Sequence, residues 1–116
     1  MINIDHIKAY EGRLKALYGY LDIEKKQMLI EDELGLTHDP NFWDDPKQAE
    51  VILKNIRAKK IWVDAYEIVE NAIADLDIIF DFHKEGEATD EEVMVLDAAT
   101  IQAIKELEFK NMLSKE

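Results

Sequence analysis

Both prolines of this chain fall within one short stretch, Asp39-Pro40-Asn41-Phe42-Trp43-Asp44-Asp45-Pro46, and none follows. A proline ring removes a backbone donor and clashes with the preceding turn, so a helix starts at such a residue and does not run through it. Each Asp-Pro step reads as an N-cap followed by proline at the first helical position. The stretch therefore divides the chain into a helical region before it and an uninterrupted one after it. From Pro46 the pattern stays helical to about Lys84, a span of nearly ~60 Å at about 1.5 Å per residue. Ala58, Trp62, Ala65, Val69, Ala72, Leu76, Ile79 and His83 alternate in steps of four and three, the spacing of antiparallel helix pairs. Ile61, Ile68, Ile73 and Phe80 widen this stripe, which predicts contact with two neighbours. The alanines at 58, 65 and 72 predict close approach by a facing helix.

Glu85-Gly86-Glu87 stops this helix, and Thr89-Asp90-Glu91-Glu92 starts the next as a capping box, with acids suited to the positive end of the helix dipole. Val93, Leu96, Thr100, Ala103 and Leu107 form its inner stripe, and the short connection predicts an antiparallel hairpin of residues 46–84 and 90–111. Upstream, Ile7, Tyr10, Leu14, Leu17 and Leu21 share a helical face over about 5–34, with Asp5 as N-cap and Gly35 as the residue after the helix end. Asp22 is placed to cap a second start, so this region is either one bent helix or two abutting ones. Phe42 and Trp43 are expected in the core, closing the end of the bundle. The fold class is all-α: an elongated bundle, one domain over residues 1–116, with no repeat and no strand-like alternation.

Charge narrows the partners. The net charge of -12 is distributed as -2 over residues 1–35, +1 over 36–60, -6 over 61–86 and -5 over 87–116. Such a second half repels phosphate backbones, so autonomous nucleic-acid binding is not expected, and a protein with a basic surface suits it better. There is no cysteine, which excludes disulfides, thiolate metal sites and a cysteine nucleophile. No run of about 18 apolar residues appears, and the start Met1-Ile2-Asn3-Ile4-Asp5-His6 lacks the pattern of a signal peptide. A cytoplasmic location is the simplest reading.

The residues offer little chemistry. His6, His38 and His83 are the natural acid–base or metal candidates, but none stands in His-Glu-x-x-His or the Glu-x-x-His of di-iron bundles. His38 beside Asp39 fits turn chemistry, and His83 fits the edge of a core. The glycines are isolated, and Ser114 is the one serine, so neither a phosphate loop nor a nucleophile elbow is present. On a helix Asp77 and Asp81 share a face while Asp75 points elsewhere, which reads as a solvated acidic surface and not a cation site. Lys54, Arg57, Lys59 and Lys60 form the one basic cluster, read as surface charge against a minor contact with an acidic partner or RNA. No catalytic, cofactor-binding or metal-binding residue is assigned, and no cofactor is expected.

Three segments carry a resemblance. Gly19-Tyr20-Leu21-Asp22, then Asp39-Pro40-Asn41-Phe42-Trp43-Asp44-Asp45-Pro46-Lys47-Gln48-Ala49, and finally Leu107-Glu108-Phe109-Lys110-Asn111-Met112-Leu113-Ser114, on either side of an acidic hairpin, resemble the amino-terminal domain of bacterial peptide chain release factor 2. The resemblance covers essentially the whole chain. It implies a class I translation termination factor that recognises UAA and UGA on the ribosome and triggers peptidyl-tRNA hydrolysis. In that family the reading tripeptide Ser-Pro-Phe and the Gly-Gly-Gln loop lie in later domains, and neither motif occurs here. The chain is thus expected to be a non-catalytic fragment, an excised domain or a truncated product. The resemblance further implies contact with stalk-base proteins of the large ribosomal subunit and interplay with the class II termination GTPase during recycling. Family members often need a programmed frameshift at a Leu-Asp junction, which Leu21-Asp22 matches.

Two other readings compete. One is a stand-alone acidic helical adaptor that binds a single protein partner; the other is a helical enzyme or metal-binding bundle, which the missing ligand spacings disfavour. Ile61, Ile68 and Phe109 are the residues expected to be left exposed in an isolated fragment, with self-association as the consequence.

Overall fold

A computed structural model describes residues 1–115. Four α-helices and one 3₁₀ turn follow in order: α1 (Ile4–Tyr20), α2 (Ile23–Thr37), the turn Phe42–Asp44, α3 (Pro46–Lys84) and α4 (Asp90–Ser114). The all-α expectation holds, and no strand occurs among the described residues. The bundle measures 60 × 33 × 18 Å, its long dimension set by the 39 residues of α3. α4 returns along α3, α1 packs on both, and α2 packs on α3. No helix of the described residues is long and apolar enough to cross a membrane.

The caps that start the hairpin are those read from the residues. Asp45 accepts a hydrogen bond from the Gln48 amide at 3.1 Å, with Pro46 opening α3. Thr89 and Glu92 complete a reciprocal capping box at 3.1 Å each way. Between them the chain turns at Gly86, whose φ of 77° is a left-handed conformation that glycine adopts without steric cost. α4 runs three residues past its expected end at 111, to Ser114.

At the amino terminus the cap differs from the expectation. Asn3, not Asp5, caps α1: its side chain accepts from the amides of Asp5 (2.9 Å) and His6 (3.3 Å), and His6 Nδ1 accepts from the Asn3 amide at 3.1 Å. An amide side chain two residues earlier satisfies two orphan donors, so Asp5 becomes a first-turn acid. Gly35 likewise is not the terminator. α2 continues through it to Thr37, and the glycine backbone stays helical.

Two separate helices, not one bent helix, make up the first third. Asp22 takes φ 49°, ψ 47°, a left-handed residue between Tyr20 and Ile23, and its side chain makes no capping bond. The carbonyl of Leu21 is taken up by Lys26 Nζ. The break lets both Leu21 and Ile23 turn inward, at 4% and 0% exposure.

One core runs through the molecule, joining Ile7, Tyr10 and Leu17 of α1 to Val69, Ile73, Leu76 and Phe80 of α3 and Val93, Ile104 and Leu107 of α4. The predicted seam is partly right. Val69 and Leu76 are buried and Trp62, Ala65, Ala72 and Ile79 half-buried, but Ala58 is exposed. α2 meets this end of α3 on another side, where Val63 lies with Ile30 and Leu34 and Lys59 pairs with Glu33. Ala72 does admit its neighbour closely: Thr100 Oγ1 donates to the Leu96 carbonyl at 2.7 Å and lies 3.2 Å from the Ala72 carbonyl. Ile104, fully buried, belongs to the inner stripe of α4 alongside the residues named for it.

The aromatic pair does not close the core as expected. Trp43 is 63% exposed and Phe42 only half-buried, their rings edge to face at 5.2 Å. Adjacent side chains in a single 3₁₀ turn project in different directions, so one faces α3 and the other faces solvent. Backbone bonds fix the turn, from the Phe42 amide to the Asp39 carbonyl and from the Asp44 amide to the Asn41 carbonyl, at 3.0 Å each. The Asp39 carboxylate also accepts from the Asn41 amide at 2.8 Å, and none of these bonds needs the indole as a plug.

Candidate functional site

The three histidines are dispersed, and the side chains of His6 and His83 have local structural roles. His6 completes the α1 cap, His38 follows the last turn of α2, and His83 Nε2 sits 2.6 Å from an Asp90 carboxylate oxygen, fastening the hairpin turn. Asp75, Asp77 and Asp81 are all exposed on α3. Among the described residues no three histidines or carboxylates are grouped to hold a metal ion. In the basic cluster, Lys59 pairs with Glu33 of α2 at 2.6 Å and Lys60 with Asp64 at 3.1 Å, whereas Lys54 and Arg57 are exposed. The sequence brings none of these groups into one reactive centre.

Polar contacts position α1 against α4. The Tyr10 hydroxyl donates to Asp97 at 2.7 Å, and Arg13 grips Glu108 with two bonds of 2.9 and 2.6 Å. Burial, followed by the Asp97 carboxylate, pushes the Tyr10 phenol up to about 12. The Arg13 guanidinium holds the Glu108 carboxyl below its usual value. Asp97 and Glu108 lie on one flank of α4, and this is the flank α1 covers.

The opposite flank is open, and it is the most distinctive surface of the molecule. Ile61 (64% exposed) and Ile68 (63%) project from α3, and Val95 (67%) from α4. Phe109 is exposed as well, so the three side chains expected to be bare are bare. Three hollows follow the α3–α4 seam on this side. One of about 380 Å³ lies between Ile61, Trp62 and Leu113; one of about 70 Å³ lies over Ala65 and Ala103; one of about 330 Å³ lies beside Ile79 and Val95. A separate groove of about 630 Å³, between α2 and α3, has a mixed lining of Ile30, Leu34, Lys60 and Glu67. The stripe arithmetic named Ile61 and Ile68 but not Val95. It reports which residues are apolar, and only the path of α1 determines which of them stay uncovered.

No family model matches the chain. Curated relatives do. Over 72 residues it is 33% identical to peptide chain release factor 2 of Staphylococcus saprophyticus, covering 62% of this chain and 19% of the relative. Over 80 residues it is 31% identical to peptide chain release factor 2 of Staphylococcus aureus (strain COL), covering 69% and 22%. For Staphylococcus epidermidis the match is 31% over 71 residues, 61% of this chain and 19% of the relative. The chain spans about a fifth of the length of these relatives. Over roughly two thirds of its own length, then, this all-helical chain is a sequence relative of peptide chain release factor 2.

Proposed function

We propose that the chain is the amino-terminal helical domain of a peptide chain release factor that directs translation termination at UAA and UGA in the cytoplasm. The observation that carries this reading is the relationship to peptide chain release factor 2, joined to a sequence without Ser-Pro-Phe or Gly-Gly-Gln. In this role the domain is non-catalytic. It docks the factor on the large subunit at the stalk base and modulates recycling by the class II GTPase. The acidic stretch 61–86, with Asp75, Asp77 and Asp81 exposed, supplies charge of the sign that basic ribosomal proteins attract.

The test joins this domain to the codon-reading and Gly-Gly-Gln parts of a release factor and measures ribosome affinity. Asp75→Asn, Asp77→Asn and Asp81→Asn combined should weaken binding at low salt and less so at moderate salt, as screening removes the attraction. Unchanged affinity at both salts would sink the docking role. Peptidyl-tRNA hydrolysis or stop-codon selection by the purified 116-residue chain alone would overturn the non-catalytic assignment.

A further inference from the structure

The long hairpin has two flanks, and the chain covers one of them. α1 lies on the flank that carries Asp97 and Glu108, and among the described residues no helix covers the other. Along that open flank the hollows extend from Ile61 to Ile79, about 27 Å of helix at 1.5 Å per residue, which an 18-residue helix would fill.

We infer that this open seam is a docking groove for a basic amphipathic helix of a partner protein. Its floor includes Ala65 and Ala103, small enough for another backbone to come close, and Ile61, Ile68 and Val95 stand as exposed walls. Apolar side chains at i, i+3, i+4 and i+7 of an incoming helix meet that pattern. Charge selects the occupant. Glu91, Glu92 and Glu106 line the hollows against a single cation, Lys110, on a hairpin whose two arms both carry net negative charge. Lysine or arginine flanking the apolar stripe of a partner would face these carboxylates. A second copy of this chain would bring its own acids against them, at -12 per copy, so self-pairing is the disfavoured occupant. The inference adds a binding mode to the release-factor reading without depending on it, since it uses only the surface of this chain.

The test uses the whole chain and two labelled synthetic peptides of about 18 residues, with the same leucine and alanine stripe. One carries lysine on both flanks, the other glutamate, and binding is read by fluorescence anisotropy. The lysine peptide should bind and weaken with added salt, and the glutamate peptide should not bind. Ile68→Asp, at an exposed position, should weaken binding at least ~10-fold, and Glu106→Lys by about 3- to 10-fold, with the helical circular dichroism retained. Met28→Asp, on exposed α2 surface, should leave it unchanged. Equal binding of both peptides, no binding of the lysine peptide, or equal loss with Met28→Asp would each overturn the groove. A concentration-dependent dimer in sedimentation that Ile68→Asp abolishes would assign the groove to a second copy instead. None of these results touches the ribosome affinity of the joined factor, so the two readings fail separately.

Discussion

At the residue scale the polar clamps between α1 and α4 make the sharpest predictions. Tyr10 is 6% exposed and donates to Asp97, so the fold holds its phenol neutral. Its folded pKa, about 12, lies above the ordinary value of 10.0, so its contribution to stability is complete below pH 10.0 and is lost as pH rises from there towards 12. Tyr10→Phe should cost about 1 kcal/mol at neutral pH and flatten part of the alkaline decline in urea-unfolding curves. Tyr66, pushed up chiefly by burial, accounts for a remaining part. Glu108 has the opposite sign. Its carboxyl is held low by Arg13, so its contribution is present above the ordinary carboxylate value and lost as pH falls below it. Both partners are more than a third exposed, so the pair is worth at most about 1 kcal/mol. Glu108→Gln should lower the midpoint at neutral pH and leave it nearly unchanged at acidic pH where the wild-type carboxyl is protonated.

At the element scale the junctions matter more than the helix interiors. Asp22 pays for a left-handed backbone without a capping bond in return, so Asp22→Gly should raise stability by about 0.5–1 kcal/mol, read as a higher urea midpoint. Asp45 does the reverse. It caps α3 ahead of Pro46, and Asp45→Ala should cost about 1 kcal/mol by the same measurement. The start of α3 and both ends of the hairpin turn were legible because proline, glycine and a Thr-x-x-Glu box act within a few residues of themselves. The start of α1 was not, since Asn3 and Asp5 are both good caps and only the observed path of the backbone separates them. The end of α2 was hidden for a similar reason: a glycine permits termination without imposing it, and α2 runs on to Thr37.

At the scale of the molecule one core links α1, α3 and α4, so its central residues should report on the whole bundle. Ile104, with no exposed surface, contacts that core from α4, and Ile104→Ala should cost about 2–5 kcal/mol in a single cooperative transition seen alike by circular dichroism and tryptophan fluorescence. The open α3–α4 flank belongs to this scale too. Ile61 and Ile68 lie on the apolar stripe of α3 just as Val69 does, yet they are more than 60% exposed while Val69 is 1% exposed. The difference lies in which neighbour arrives, and that is a property of the packed bundle.

The residues alone determined the helix count downstream of Pro46, the hairpin, its caps, the acidic second half and the relationship to peptide chain release factor 2. Each of these depends on chemistry local in the chain: a ring that forbids a bond, a side chain that satisfies an amide, a spacing that repeats. The tertiary structure decided that Trp43 faces solvent, that Asp22 divides α1 from α2, and that one flank of the long hairpin is covered by α1 while the other stays bare. Those outcomes depend on how four helices share a limited number of faces, and an apolar stripe in a sequence records that a face is wanted without recording which partner takes it.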